Sequence, residues 1–187
     1  NKWLETPGKK GQKRNDTNIR VFLDKEDLFF DKWDLLRYQS VDDRLIPSNI
    51  YDSLISFIPR LKNIEYAKLY PEQQTGDGSI EHPFQMPFYE YSDVVHEFEK
   101  EVYKFEKDHP EFQLNTYNNI FLMNGLRWDE EVMTKADVSN ANGQVVMALI
   151  LGAIRAERFC DGTLKDFLEL GCIEKWLLRL QEIASKI

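Results

Sequence analysis

The sequence predicts a mainly α-helical fold: a compact domain of six or seven helices, with room for one small β-hairpin. Three observations carry this. Apolar residues recur at helical spacing in several separate segments, most clearly at Ile173, Trp176, Leu177, Leu180, Ile183 and Ile187. A second segment, Val145 to Ile154, is apolar nearly all round, which marks a helix covered on several sides. Period-two alternation is confined to Phe84, Met86 and Phe88, so strand content is small. With 187 residues, 42% of them apolar and 13% aromatic, the chain has enough surface to bury a real core without metals or disulfides.

The elements follow in chain order. Residues 1–18 combine Pro7, Gly8 and Gly11 with lysines and polar residues, and read as a basic extended arm. Residues 19–44 read as an N-terminal extension. In it, Ile19 to Leu23 suit a short strand, and Phe29, Trp33 and Leu36 share one face of a helix over 27–38. The helical domain then spans 45–187. Its first helix begins near Pro47 and Ser48, buries Ile50, Leu54, Phe57, Ile58 and Leu61, and is kinked or ended by Pro59. Residues 64–91 hold Pro71, Pro83, Pro87 and the turn-like Gly76-Asp77-Gly78, a loop-rich stretch with a small hairpin.

Ser92 is expected to N-cap a helix that buries Val94, Phe98, Val102 and Phe105 and stops before His109-Pro110. Short helices are expected near Tyr117 to Met123, closed by Gly125, and near Asp129 to Lys135. The central helix covers 141–159. Thr163 with Asp166 suggests a capping box for a helix that turns Leu164, Phe167 and Leu168 inward and stops at Gly171.

Charge is unevenly spread. The net is −8, yet residues 1–18 carry Lys2, Lys9, Lys10, Lys13 and Arg14 against Glu5 and Asp16, which leaves −11 for the remainder. An acidic body repels phosphate backbones, so nucleic acid is expected only at the arm, through Lys9, Lys10, Lys13 and Arg14. The N-terminal lysines are not followed by an apolar stretch, so they do not read as a secretory signal, and no apolar run approaches a bilayer span. Cys160 and Cys172 lack metal or redox spacing and fit two reduced thiols in a cytoplasmic setting.

The stretch Arg155 to Gly162 stands out. Arg155 and Arg158 lie three apart at the C-terminal end of the most apolar helix, followed by Cys160 and the turn pair Asp161-Gly162. Two readings stand. Either an Arg–Asp bridge pins a helix-turn-helix corner, or the two guanidinium forks converge on a carboxylate or phosphate ligand beside Cys160 and Asp161. Phe84, Phe88, Tyr89 and Tyr91, flanked by prolines, either lid the core or line a groove for a partner protein.

From about Leu45 onward the chain resembles the bacterial and phage family catalogued as domain of unknown function 6508. The resemblance rests on R-A-E-R-F-C-D-G-T-L at 155–164 and L-E-L-G-C-I-E-K-W-L-L-R-L at 168–180. Y-E-Y-S-D-V-V-H-E-F at 89–98 and Ala136-Asp137 add to it. The first 44 residues have no counterpart in that pattern, and 64–90 and 108–128 depart from it. The family brings no assigned activity, cofactor or catalytic residue; it implies that 155–162 matters and that the setting is the cytoplasm of a prokaryote or phage host.

Catalytic signatures are otherwise missing. His82, His96 and His109 are never paired at metal-ligand spacing, and His96 with Glu99 reverses the order used by di-iron bundles. Asp129-Glu130-Glu131 suits the first turn of a helix on dipole grounds. No P-loop, G-x-G-x-x-G or nucleophile elbow is present. No metal or cofactor is expected, and the reading that follows is an accessory or protein-interaction module, with a small-anion binder or enzyme at the Arg155/Arg158/Asp161 corner as its alternative.

Overall fold

The computed structural model describes residues 38–71 and 75–186. The arm, and the strand and helix expected over 19–37, lie outside these residues. Among the described residues there are seven helices and one two-stranded sheet. Helix α1 is two four-residue segments, Asp52–Ile55 and Phe57–Arg60, broken at Ser56. Strands β1 (Ala67–Tyr70) and β2 (Phe88–Tyr91) follow. The remaining helices are α2 (Asp93–Asp108), α3 (Tyr117–Met123), α4 (Glu130–Thr134), α5 (Gly143–Ala156), α6 (Thr163–Glu169) and α7 (Cys172–Lys186).

The core is built around α5. Every residue from Gly143 to Ile154 is buried, because α2, α3, α6 and α7 all pack against this one helix. That is what an apolar circumference demands. α2 contributes Val95, Phe98, Val102 and Phe105 to the core; Val95, not Val94, heads the stripe, and Val94 is half-buried. α7 buries Ile173, Trp176, Leu177, Leu180 and Ile183 as its spacing requires.

Pro59 acts upstream of its own position. It has no N–H to offer the carbonyl of Ile55, and the helix breaks there, at Ser56. Two expected caps differ from the structure. Ser92 takes the N-cap position of α2, but its hydroxyl is buried and makes no hydrogen bond among the described residues. Thr163 is the first residue inside α6, and its hydroxyl donates backwards to the Cys160 carbonyl at 2.8 Å. The Glu157 carboxylate does the capping, accepting the N–H groups of Gly162 and Leu164, each at 2.8 Å. A carboxylate arriving from the preceding turn satisfies two amide donors that a threonine hydroxyl could satisfy only singly.

Strands β1 and β2 are antiparallel, with Ala67 opposite Tyr91 and Tyr70 opposite Phe88. They are not joined by the tight turn that Gly76-Asp77-Gly78 suggests. These glycines, at φ of 90° and 82°, form a small turn inside the long connection, where Asp77 and Gly78 donate to the His82 carbonyl. Residues 38–43, assigned from sequence to the extension, strap the start of α5. Gln144, fully buried, donates to Gln39 O and Phe112 O, and accepts from the Val41 N–H and the Tyr38 hydroxyl.

Candidate functional site

The corner between α5 and α6 is a junction of three elements. Arg155 donates to Glu106 on α2 at 2.7 Å, with its guanidinium 5.1 Å from the centre of the Tyr117 ring. Both partners of this pair are mostly covered, with side chains 22% and 17% exposed. One turn on, Arg158 donates to the Tyr103 hydroxyl at 2.9 Å. The central helix ends at Ala156, short of the expected 159, so Arg155 stands in its last turn and Arg158 in the turn that follows, and each reaches α2, where Glu106 and Tyr103 are three apart. The two guanidinium groups engage separate partners on α2.

Asp161 does not bridge either arginine. Its carboxylate accepts the Tyr89 N–H, at 3.0 Å to Oδ2, and so fastens β2 to the corner. The geometry of the ladder explains why that N–H is available. Ser92 N donates to Tyr66 O, so hydrogen bonding within the pair falls at alternate positions and leaves the Tyr89 N–H pointing outward. Gly162, at φ +90°, lies against the Tyr89 ring; a β-carbon there would come within 2.7 Å of Cε2. Tyr91 completes the seam. Its hydroxyl accepts the Lys165 N–H at 3.0 Å, and burial together with Glu157 raises its pKa.

These contacts divide the four aromatic candidates. Tyr89 and Tyr91 are half-buried and turned to the corner, whereas Phe84 and Phe88 are exposed. Met86, between them in the same alternation, is exposed too, and Tyr70 packs edge-on to Phe88 at 5.8 Å.

Two grooves flank the corner. One, of about 300 Å³, runs between α2 and the end of α5, past Tyr103, Lys100, His96 and Arg158 over Ile154. The other, of about 220 Å³, lies between the start of α4 and the corner; Cys160 is on its wall, with Trp128, Phe159 and the acidic pair Asp129 and Glu130. Cys160 is exposed and free, and Cys172 is buried, which pushes its thiol pKa up.

Asp129, Glu130 and Glu131 are not gathered into a chelating cluster. Asp129 caps α4 by accepting the Val132 N–H, and Glu131 pairs with Lys135 at 2.6 Å. Among the described residues no group of three His, Cys, Asp or Glu side chains is placed to hold a metal ion. Also among them, no helix is long and apolar enough to cross a membrane. The arm candidates Lys9, Lys10, Lys13 and Arg14 lie outside the described residues.

Sequence reasoning missed the partners on α2, Tyr103 and Glu106. They belong to a face that looks solvated, and only their three-residue spacing, matching that of Arg155 and Arg158, hinted at them. It also passed over Trp128 and Phe159, neither of which falls on an amphipathic stripe.

The fold and its corner define a small helical domain with a two-stranded sheet clipped to one end of its central helix. The chain belongs to the family of unknown function DUF6508, whose model matches residues 46–186. No curated protein and no solved structure matches the chain.

Proposed function

We propose that this chain is a protein-interaction module of a prokaryotic or phage cytoplasm, and that it engages its partner through the aromatic face of the β1–β2 sheet. The observation that carries the reading is the exposure of Phe84 (58%), Met86 (71%) and Phe88 beside Tyr70. Exposed apolar residues scattered singly need no explanation, but three large ones within the five residues 84–88, with Tyr70 packed on the last of them, suit a contact surface. The anchoring of β2 by Asp161 and Gly162 gives such a surface a fixed mounting, which lowers the ordering cost of binding. The free thiols suit a reducing compartment.

The test is site-specific photo-cross-linking in bacterial cytosol, with a benzophenone side chain at position 84 and, as control, at the exposed Asn115. The expected result is a discrete adduct at 84 that excess unlabelled chain competes away and that Phe88→Ser weakens. Adducts no stronger than the control, or indifferent to competition, contradict the reading.

A second reading has its own observation. Arg158 lines the larger groove with Lys100 and with His96, whose ring is bonded to Glu99; Glu157 lines it too, turned to the amides of Gly162 and Leu164, and the Arg158 guanidinium is held by a tyrosine hydroxyl instead of a carboxylate. Such a fork keeps donors for a small anion. Thermal shift with inorganic phosphate and mononucleotides checks this: stabilisation lost in Arg158→Gln supports an anion site, and stabilisation that survives the substitution removes it.

A further inference from the structure

We infer that the smaller groove is a receptor for one long cationic side chain, an arginine or lysine presented by a partner polypeptide. The site is distinct from the sheet face and does not depend on it. Its walls are two aromatic rings set perpendicular, Trp128 and Phe159, with centroids 5.4 Å apart and an interplanar angle of 82°. Trp128 is fixed in place: its indole N–H donates to the Gly152 carbonyl at 2.9 Å, and the Tyr117 ring packs against it at 5.6 Å. Phe159 is 79% exposed. Buried Met133 and Phe167 form part of the lining.

The charge of the groove is of one sign. Asp129 and Glu130 line it, and no basic side chain does. Asp129 spends one oxygen on the Val132 N–H; Glu130 has no ion pair among the described residues. A groove that is apolar over most of its wall, with Asp129 and Glu130 among its lining residues, matches a ligand that is aliphatic along its stem and positive at its tip. Arginine and lysine stems lie along apolar surface while their heads seek carboxylates or aromatic faces. Size points the same way. At about 220 Å³ the groove is smaller than the clefts that hold drug-sized ligands, roughly 300 Å³ and upward, and suits a single side chain. A nucleotide or other polyanion would meet two carboxylates and no cation.

The probes are butylguanidinium, its neutral counterpart butylurea, the anion pentanoate, and the blocked tripeptides Gly-Arg-Gly and Gly-Gln-Gly. Each is titrated into the full chain while the Trp128 indole N–H resonance, assigned from its loss in Trp128→Phe, is followed by NMR. Butylguanidinium is expected to bind about fivefold more tightly than butylurea. Pentanoate is expected to give no saturable shift, and Gly-Arg-Gly to bind at least as well as butylguanidinium. The double variant Asp129→Asn/Glu130→Gln, in which asparagine preserves the helix cap, is expected to erase the preference for the cation. The assignment is overturned if butylurea matches butylguanidinium, if the double variant keeps the preference, or if the perturbed resonances lie away from the groove. If butylguanidinium binds and Gly-Arg-Gly does not, the polypeptide occupant is overturned in favour of a small free cation.

Discussion

At the scale of single residues, Gly143 shows how closely the start of the central helix is fitted. A β-carbon there would fall 1.9 Å from the Tyr51 hydroxyl and 3.0 Å from Asp43 Oδ1. Tyr51 cannot yield, since it is fully buried and its ring packs against Phe105 and Phe112 at 5.8 and 6.2 Å. Overpacking of this kind costs about 1–3 kcal/mol, more than the helix-propensity gain of at most about 1 kcal/mol at an end position. Gly143→Ala is therefore expected to lower stability in urea denaturation, and adding Tyr51→Phe to recover about 1 kcal/mol, because the hydroxyl it removes is buried and makes no hydrogen bond among the described residues. Equal stability of Gly143→Ala and the parent would show that Tyr51 is free to move.

Asp43 sits in the same cluster and sets a pH dependence. Its carboxyl accepts the Gly143 N–H at 2.9 Å, yet burial outweighs that bond and the charge of Arg179 and holds its pKa above the usual value. A raised folded-state pKa means that the folded protein binds this proton more tightly than the unfolded chain does. The contribution is then complete below about pH 4 and is lost as pH rises through the folded value. Asp43→Asn keeps an acceptor for the Gly143 N–H. Its stability relative to the parent should rise between about pH 4 and pH 7 in paired urea titrations. A difference that does not change with pH would mean that Asp43 titrates alike in both states.

At the scale of elements, the Arg155–Glu106 pair joins α5 to α2. Breaking a fully buried pair costs about 3–5 kcal/mol; with side chains about a fifth exposed, a loss nearer 2–3 kcal/mol is expected for Arg155→Met or Glu106→Gln alone. The double variant should cost less than the sum of the two, since each single variant leaves a charge without its partner. Arg158→Gln, which loses a bond to a tyrosine hydroxyl near the surface, should cost less than either. Additive losses in the double-mutant cycle would remove Arg155–Glu106 as a coupled pair. Element boundaries were the most legible part of this fold. Asp129 before α4, Gly125 after α3, Gly171 after α6 and Pro110 after α2 all act within a turn of their own position, so a local pattern suffices to place them. The caps of α2 and α6 were less legible. Ser92 has the right residue type and backbone but no partner for its hydroxyl, and Thr163 was displaced by a glutamate six residues earlier that only the folded turn brings into reach.

At the scale of the molecule, the apolar circumference of α5 fixed where the centre lies, and it left open what is clipped to the outside. The bonds that answer that question span long separations: Asp161 to Tyr89, Arg155 to Glu106, Asp43 to Gly143. No periodicity encodes them. This is why the 155–164 motif was visible from its composition while its role was not. Its residues bond to α2, β2 and α6, and a groove lies on either side of it. The centre therefore carries a sheet fastened from outside by the Asp161 carboxylate, the close approach of Gly162 to Tyr89 and the Tyr91 hydroxyl. Amide hydrogen exchange, residue by residue, on the parent and on Asp161→Ala tests this most directly. Val146 to Ile154 are expected to exchange only through global unfolding in both proteins, while the Tyr89 amide is protected in the parent and exchanges at least about tenfold faster in the variant. Exchange at Tyr89 unaffected by the substitution, or α5 amides opening as readily as those of the sheet, would contradict it.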